Sequence, residues 1–173
     1  MISASGADQA GWALLKSDGV IALVRHADAP GVGDPQGYRL DDCSTQRNLS
    51  EKGRAQSRAL GEAFRARAVP VGKVMSSQWC RCLDMARLMD VGAVEQVSAF
   101  NNAFVLSSQR DALTRNARAV LSQWTGPGAL VVVTHGDNIA LLTGVNPAQS
   151  EIVIVRPGSG TLSVIGRIGA GVS

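Results

Sequence analysis

Both histidines of this chain stand at the carboxyl end of a short, strongly apolar run. His26 follows Gly19 and the run Val20-Ile21-Ala22-Leu23-Val24-Arg25, and His135 follows Ala129-Leu130-Val131-Val132-Val133-Thr134. Runs this short and rich in Val, Ile and Leu read as buried strands of a parallel sheet. The carboxyl ends of such strands are where an open α/β sheet builds its ligand site. Arg25 adjoins His26, and Arg81 lies at the strand-to-helix turn after a further run, 71–76. If the strands are neighbours, two imidazoles and two guanidinium groups share one crevice. Guanidinium donors match the oxygens of a phosphate. Gly136 lets backbone approach an anion, and the free amides opening helices 78–89 and 138–143 add positive potential. Nearby arginines favour the neutral imidazole, which with one nitrogen free is a nucleophile toward phosphorus. The second histidine can donate to the phosphoryl oxygens as charge spreads over them.

The elements that must position these groups follow from periodicity. An amphipathic helix is expected over 8–17 with Trp12 and Leu15 on one face, then a strand over 20–25. Residues 27–48 are aperiodic and rich in Gly, Asp and Pro, the composition of a functional loop or lid. Ser50 is a good N-cap for a helix reaching about Arg67, with Ala55, Leu60, Ala63 and Phe64 inward and Arg54, Arg58 and Arg65 outward. A strand over 71–76 and a helix from Gln78 to Met89 come next, then a strand over Ala93–Val97. Leu113, Ala117, Val120, Leu121 and Trp124 form one stripe on a helix from Asp111 to Trp124. Strand 129–134 runs through His135-Gly136 into helix 138–143, and strands 151–155 and 161–165 form a hairpin across Pro157-Gly158-Ser159-Gly160. The alternation predicts an α/β fold, a three-layer α/β/α sandwich with a mostly parallel mixed sheet.

A chain of 173 residues, 45% hydrophobic and 18% charged, is expected to form a single domain (1–173, core 19–168, flexible ends). The net charge of +3 is dispersed, with no basic stripe interleaved with aromatics, which argues against a nucleic-acid partner. No stretch has the length of a membrane span, and Met1 to Ala10 lack the pattern of a signal peptide. The compartment stays open: periplasmic if a leader has been removed, otherwise cytoplasmic. Cys43, Cys80 and Cys82 are expected to be partly buried free thiols, a Cys43 bridge to Cys80 or Cys82 being the alternative that points to the periplasm. The Cys-x-Cys pair lacks partners for a tetrahedral metal site.

Four segments carry a family resemblance. Arg25-His26-Ala27 resembles the Arg-His-Gly signature of the histidine phosphatase superfamily, which includes the cofactor-dependent phosphoglycerate mutases. Asn48-Leu49-Ser50-Glu51-Lys52-Gly53-Arg54-Ala55-Gln56 is similar to the helix start that follows it in the family. Ser76-Ser77-Gln78-Trp79-Cys80-Arg81-Cys82, with Ala86, resembles the segment bearing the family's second arginine, and Thr134-His135-Gly136 its second histidine. The resemblance spans about residues 20–145 in the family's order. It implies a phosphoglycerate mutase-like fold and a phosphatase acting through a phosphohistidine on His26, held by Arg25, Arg81 and His135 and hydrolysed by water. It implies no metal and no organic cofactor. The substrate would be a small phosphate ester or a phosphoprotein, phosphohistidine included, and the protein a monomer or homodimer. Arg47 and Asn48 are candidates to reach the phosphate or its substituent.

Two departures stand out. Ala27 replaces the glycine after the nucleophile, and residues 97–108 contain no acid where the family carries its glutamate proton donor. Asp137 is the first candidate to supply that proton, since His135-Gly136-Asp137-Asn138 is similar, one residue out of register, to the His-Asp of the phytase-like branch. Asp28 and Asp34 follow, and Asp137 could instead cap helix 138–143. Without a donor the chain would be a phospho-ligand-binding module with little turnover. A cysteine phosphatase is excluded because no cysteine is separated from a following arginine by five intervening residues, and nucleotide-loop chemistry because no Walker-type motif is present. A mutase is disfavoured by the chain's length and the missing glutamate.

Overall fold

The two apolar runs that end in histidine lie side by side at the centre of one sheet. The structure is a computed structural model that describes residues 5–171. In chain order its main elements are α1 (Gly6–Leu14), β1 (Ile21–Arg25), α2 (Glu51–Ala66), β2 (Val71–Ser76), α3 (Cys80–Met89) and β3 (Val94–Gln96). They continue with α4 (Arg110–Ser122), β4 (Ala129–Thr134), α5 (Gly136–Thr143), β5 (Ile152–Pro157) and β6 (Leu162–Ile168). The six strands form one sheet in the order β3-β2-β4-β1-β5-β6. The β1–β4, β2–β4 and β2–β3 pairs are parallel, whereas β5 and β6 add on antiparallel, which makes the sheet mixed and mostly parallel.

Alternation along the central strands divides the core between two faces. Ala22 and Val24 of β1, with Val131 and Val133 of β4, pack with Trp12, Phe64, Met85 and Met89 from α1, α2 and α3. Ile21 and Leu23, with Leu130 and Val132, pack with Ala117, Leu121, Ile139 and Leu142 from α4 and α5. Both faces of β1 and β4 are thus covered, which explains why these strands are continuously apolar. Fully burying one such side chain stabilises the fold by roughly 1.5–3 kcal/mol. On the first face Trp12 meets Phe64 edge to face at 5.1 Å between ring centroids.

Several expected boundaries shift. The first helix runs over Gly6–Leu14 because the Ser5 hydroxyl accepts the Asp8 N–H and caps it earlier. Helix α3 opens at Cys80, and α5 opens at Gly136 with His135 as its N-cap, so Asp137 lies within the first turn and does not cap it. Strand β6 extends to Ile168 because its register with β5 passes an irregularity at Ile154–Val155 and continues pairing.

The inward face of α2 also differs. Ser50 caps it as expected, its hydroxyl accepting the Gly53 N–H at 3.0 Å. The buried positions, however, are Gly53, Ser57, Gly61 and Phe64, while Ala55 is exposed. These small residues let backbones touch. A Cβ on Gly53 would lie 2.1 Å from the Asp28 carbonyl oxygen, and one on Gly61 would lie 1.8 Å from that of Met89. Neither backbone oxygen can move aside as a flexible side chain could. Gly61→Ala is therefore expected to lower stability by about 1–3 kcal/mol, measured by urea unfolding, despite alanine's better helix propensity. A neutral or stabilising effect would show that α2 and α3 can separate freely.

Candidate active site

The β1–β4 register sets Arg25 opposite Thr134, so the next residue of each chain, His26 and His135, emerges at the same edge of the sheet. The His26 N–H extends the pairing by one step, donating to the Thr134 carbonyl at 3.0 Å. The two imidazoles are 3% exposed, with ring centroids 5.6 Å apart. Beyond them lies a pocket of about 220 Å³ whose lining includes Arg25, Arg47, Arg81, Gly136 and Asp137. A larger hollow of about 320 Å³ runs along the β2–β3 edge, lined by residues 71–74 and 92–95. It brings together no chemical groups beyond the exposed Lys73–Glu95 ion pair.

The segment leaving His26 is fastened to α2. The Asp28 N–H donates to Gln56 Oε1 at 3.0 Å, and the Asp28 carbonyl accepts the Ser50 N–H at 3.0 Å. Ala27 is fully buried, and its N–H lies 3.2 Å from Met85 Sδ, so the alanine at this position is accommodated. His26 Nδ1 lies 2.9 Å from the Ala27 carbonyl oxygen. A carbonyl only accepts, so Nδ1 carries the proton and Nε2 keeps its lone pair. Burial pushes the His26 pKa down to about 3, with Arg81, Arg47 and Arg25 adding to the shift against the opposing Ala27 bond. Burial likewise holds His135 well below its ordinary range, followed by the neighbouring His26 and the three arginines. Both rings are neutral at physiological pH.

His135 is oriented from β2 and α3. Its Nε2 lies 2.8 Å from the Ser77 hydroxyl, which itself accepts the Trp79 N–H at 3.2 Å. Trp79 meets the ring edge to face at 5.7 Å. The Cys82 sulfur is 3.6 Å from the same Nε2, and burial pushes that thiol up to about 12, so it stays protonated.

Each arginine is held differently. Arg81 is fully buried, and its two terminal nitrogens donate to the two oxygens of Asp34 at 2.9 and 3.1 Å. Asp34 also accepts the Trp79 indole N–H and the Arg47 backbone N–H, each at 3.1 Å. Removing one partner of such a buried pair costs roughly 3–5 kcal/mol. Arg25 donates to the Pro147 carbonyl at 2.7 Å. Gly136 leaves room for its guanidinium, since a Cβ there would lie 3.0 Å from Arg25 Nε. The glycine therefore serves the arginine's approach as well as that of a ligand. The Nε–H groups of Arg25 and Arg81 are both buried and have no acceptor among the described residues.

Of the residues singled out from sequence, Arg25, His26, Arg47, Arg81, His135, Gly136 and Asp137 meet around one pocket. Asn48 does not line it. Its amide donates to the Cys43 and Gln46 carbonyls at 2.7 and 3.2 Å and braces the loop, so the expectation of a ligand contact is corrected. Asp34 is committed to four hydrogen bonds, and Asp28 lies at the start of α2, where Oδ2 accepts the Ser50 hydroxyl at 2.5 Å. Asp137 is exposed at the pocket and has no hydrogen-bond partner among the described residues. The thiols are also corrected. Cys43 and Cys80 form a disulfide with Cα atoms 5.8 Å apart, and Cys82 alone is free. The bridge arises because the loop folds over the start of α3, where Gln46 Oε1 accepts the Cys80 N–H at 2.9 Å.

Sequence reasoning missed the anchoring role of Asp34 and the Ser77 contact to His135. Ser77 was discoverable, since it follows β2 directly, as the histidines follow β1 and β4. Asp34 was not, because its partner is 47 positions away.

Fold and pocket together define a phosphoglycerate mutase-like α/β protein with a basic, histidine-bearing site at the carboxyl edge of its sheet. Residues 21–102 match the family model of the histidine phosphatase superfamily (branch 1). No curated protein matches the chain significantly. Among solved structures it is similar to the protein histidine phosphatase SixA complexed with tungstate, at 17% identity, TM-score 0.58, covering 87% of this chain and 97% of that one. It is similar also to the Rv3214 open reading frame product of Mycobacterium tuberculosis (15% identity, TM-score 0.65, 89% and 99% covered). A third is the mycobacterial glucosyl-3-phosphoglycerate phosphatase with VO3 (16% identity, TM-score 0.62, 87% and 98% covered). At these identities the likeness is one of fold. Among the described residues, no helix is long and apolar enough to cross a membrane.

The depressed imidazoles have a measurable consequence. The unfolded chain takes up a proton on His26 near 6.5 that the fold refuses until about 3, so stability from this group rises with pH across that window and falls as pH drops through it. Neither histidine's carbon-bound ring protons should shift in NMR spectra between about pH 5 and about pH 8. A titration midpoint near 6.5 for His26 would show that its ring is open to protonation and contradict its burial as a neutral base.

Proposed function

We propose that the protein is a phosphatase that hydrolyses a phosphate monoester or a phosphohistidine through a covalent intermediate on His26. The observation that carries this reading is the gathering of the Arg25, Arg47 and Arg81 guanidinium groups around one pocket that also holds a neutral His26 with Nε2 free. Clustered groups of fixed positive charge call for an acceptor-rich anion. The start of α5 at Gly136 lies at the same pocket and favours negative charge.

In the first step His26 Nε2 forms a bond to phosphorus while the bond to the leaving oxygen breaks. Arg25, Arg81, Arg47 and His135 donate to the three phosphoryl oxygens as charge moves onto them. The leaving oxygen takes its proton from Asp137, the pocket carboxyl that is not tied up by another group. In the second step water attacks phosphorus, the Asp137 carboxylate accepts its proton, and the nitrogen–phosphorus bond breaks to release phosphate and His26. The guanidinium groups supply the charge neutralisation, so the reading requires neither metal nor organic cofactor.

One observation favours a second reading, that of a phospho-ligand-binding module. Residues 97–108 bring no carboxyl to the site, and Asp34 is locked to Arg81. Phosphate release from p-nitrophenyl phosphate separates the two. Hydrolysis is expected, undiminished by EDTA and lost by at least about a hundredfold in His26→Ala. An acid-labile phosphoryl group should be trapped on His26 by rapid quench. Undiminished turnover in the variant would overturn the mechanism, and no turnover in the wild type would favour the binder. Asp137→Asn is expected to slow an alkyl phosphate by about 10²–10⁴-fold and p-nitrophenyl phosphate far less. Equal effects on both substrates would remove Asp137 as the proton donor.

A further inference from the structure

The mouth of the pocket is apolar on one side. Large hydrophobic side chains exposed among the described residues are Val32, Leu40, Phe104 and Val164, and two of them, Val32 at 85% and Phe104 at 50% exposure, line this pocket. Single exposed hydrophobics need no explanation, but adjacent ones held at the rim of a charged site mark a ligand contact.

Both are held in place. Val32 stands between Gly31 at φ +99° and Gly33 at φ +68°, left-handed conformations that favour glycine. Arg47 clasps this turn, its Nε donating to the Gly33 carbonyl at 2.7 Å and its Nη1 to the Ala29 carbonyl. Phe104 follows Asn102, whose buried amide oxygen accepts the Phe104 N–H at 3.0 Å. The Ala103 N–H is held by Asn138 Oδ1 at 3.1 Å. The two segments are neighbours, since a Cβ on Gly33 would lie 3.6 Å from Phe104 Cε1. Val32, Gly33 and Phe104 thus lie on the same side of the pocket mouth.

At about 220 Å³ the pocket is smaller than the roughly 300–1,000 Å³ of sites that enclose a whole drug-sized ligand. It has room for a phosphoryl group and the atoms next to it, and the group that bears the phosphate must reach this edge. We infer that the substrate is an aryl phosphate, its ring packed against Phe104 and Val32 while its phosphoryl group meets the arginines. The inference rests on the phosphatase reading above. Leaving-group chemistry agrees with it. A phenol has a pKa of about 10, far below that of an aliphatic alcohol, so a phenolate departs with much less help from an acid. The segment that brings no carboxyl to the site brings Phe104 instead. In the first step the bond between His26 Nε2 and phosphorus forms, the bond from phosphorus to the phenolic oxygen breaks, and the phenolate then gains a proton from Asp137 or water.

Calorimetric titration with phenylphosphonate, methylphosphonate and inorganic phosphate tests this without depending on turnover. Phenylphosphonate is expected to bind about tenfold more tightly than methylphosphonate. In Phe104→Ala and in Val32→Ser that preference should fall to about threefold or less, with the affinity for inorganic phosphate unchanged. Equal binding of the two phosphonates by the wild type would overturn the aryl preference, even where p-nitrophenyl phosphate is hydrolysed through His26 and the phosphatase reading stands. A preference that survives both substitutions would overturn the assignment to this edge. Failure to bind any of the three ligands, together with no turnover, would overturn the phosphatase reading and this inference with it. Free phosphotyrosine and a phosphotyrosine peptide, each compared with glycerol phosphate, distinguish a small aryl phosphate from a protein side chain. Slower turnover of both than of glycerol phosphate would count against the inference.

Discussion

The parallel pairing of β1 with β4 is the constraint on which the site depends. Arg25 stands opposite Thr134, and from that register His26 and His135 leave the sheet as neighbours. A slip of one residue would turn every side chain of β1 to the other face of the sheet. Ala22 and Val24 would then trade layers with Ile21 and Leu23, and both halves of the core would have to repack. Hydrophobic burial on two faces therefore sets the relative placement of two polar groups that contribute little to that burial. The same burial keeps both rings neutral.

Around this pair the charge is arranged by hydrogen bonds from distant parts of the chain. Asp34 binds both terminal nitrogens of Arg81 and leaves its Nε–H, and Gly136 gives Arg25 space to lie close. The Cys43–Cys80 bridge adds a covalent tie between the long loop and the start of the helix that carries Arg81. In the chain-entropy account, such a bridge stabilises by restricting the unfolded chain, typically by about 2–4 kcal/mol. The loop is thereby part of the pocket wall, held by an ion pair, a disulfide and the side chain of Arg47.

The helix α2 shows how a reading by hydrophobicity goes astray. Of its apolar residues Leu60, Ala63 and Phe64 do turn inward as expected, yet Gly53, Ser57 and Gly61 share that face and Ala55 faces out. Hydrophobicity scores count what a side chain gains by burial. They do not count the close approach of two backbones, which here requires the absence of a side chain. The cysteines went astray for a related reason: Cys43 sits in an aperiodic loop, where no pattern tells which element it will meet.

The local sequence was enough to determine the alternating α/β order, the buried strands, the cap at Ser50, and the two histidines and two arginines at strand and helix ends. Each depends on neighbours a few positions apart, through periodicity, capping or backbone restriction. Only the tertiary structure decided that Asp34 anchors Arg81, that Ser77 faces His135, that Asn48 braces the loop and that Val32 and Phe104 lie on the same side of the pocket mouth. Those pairings join residues tens of positions apart or turn on which way a loop side chain points. They follow from how the loops close over the sheet, and no periodicity in the chain encodes that closure.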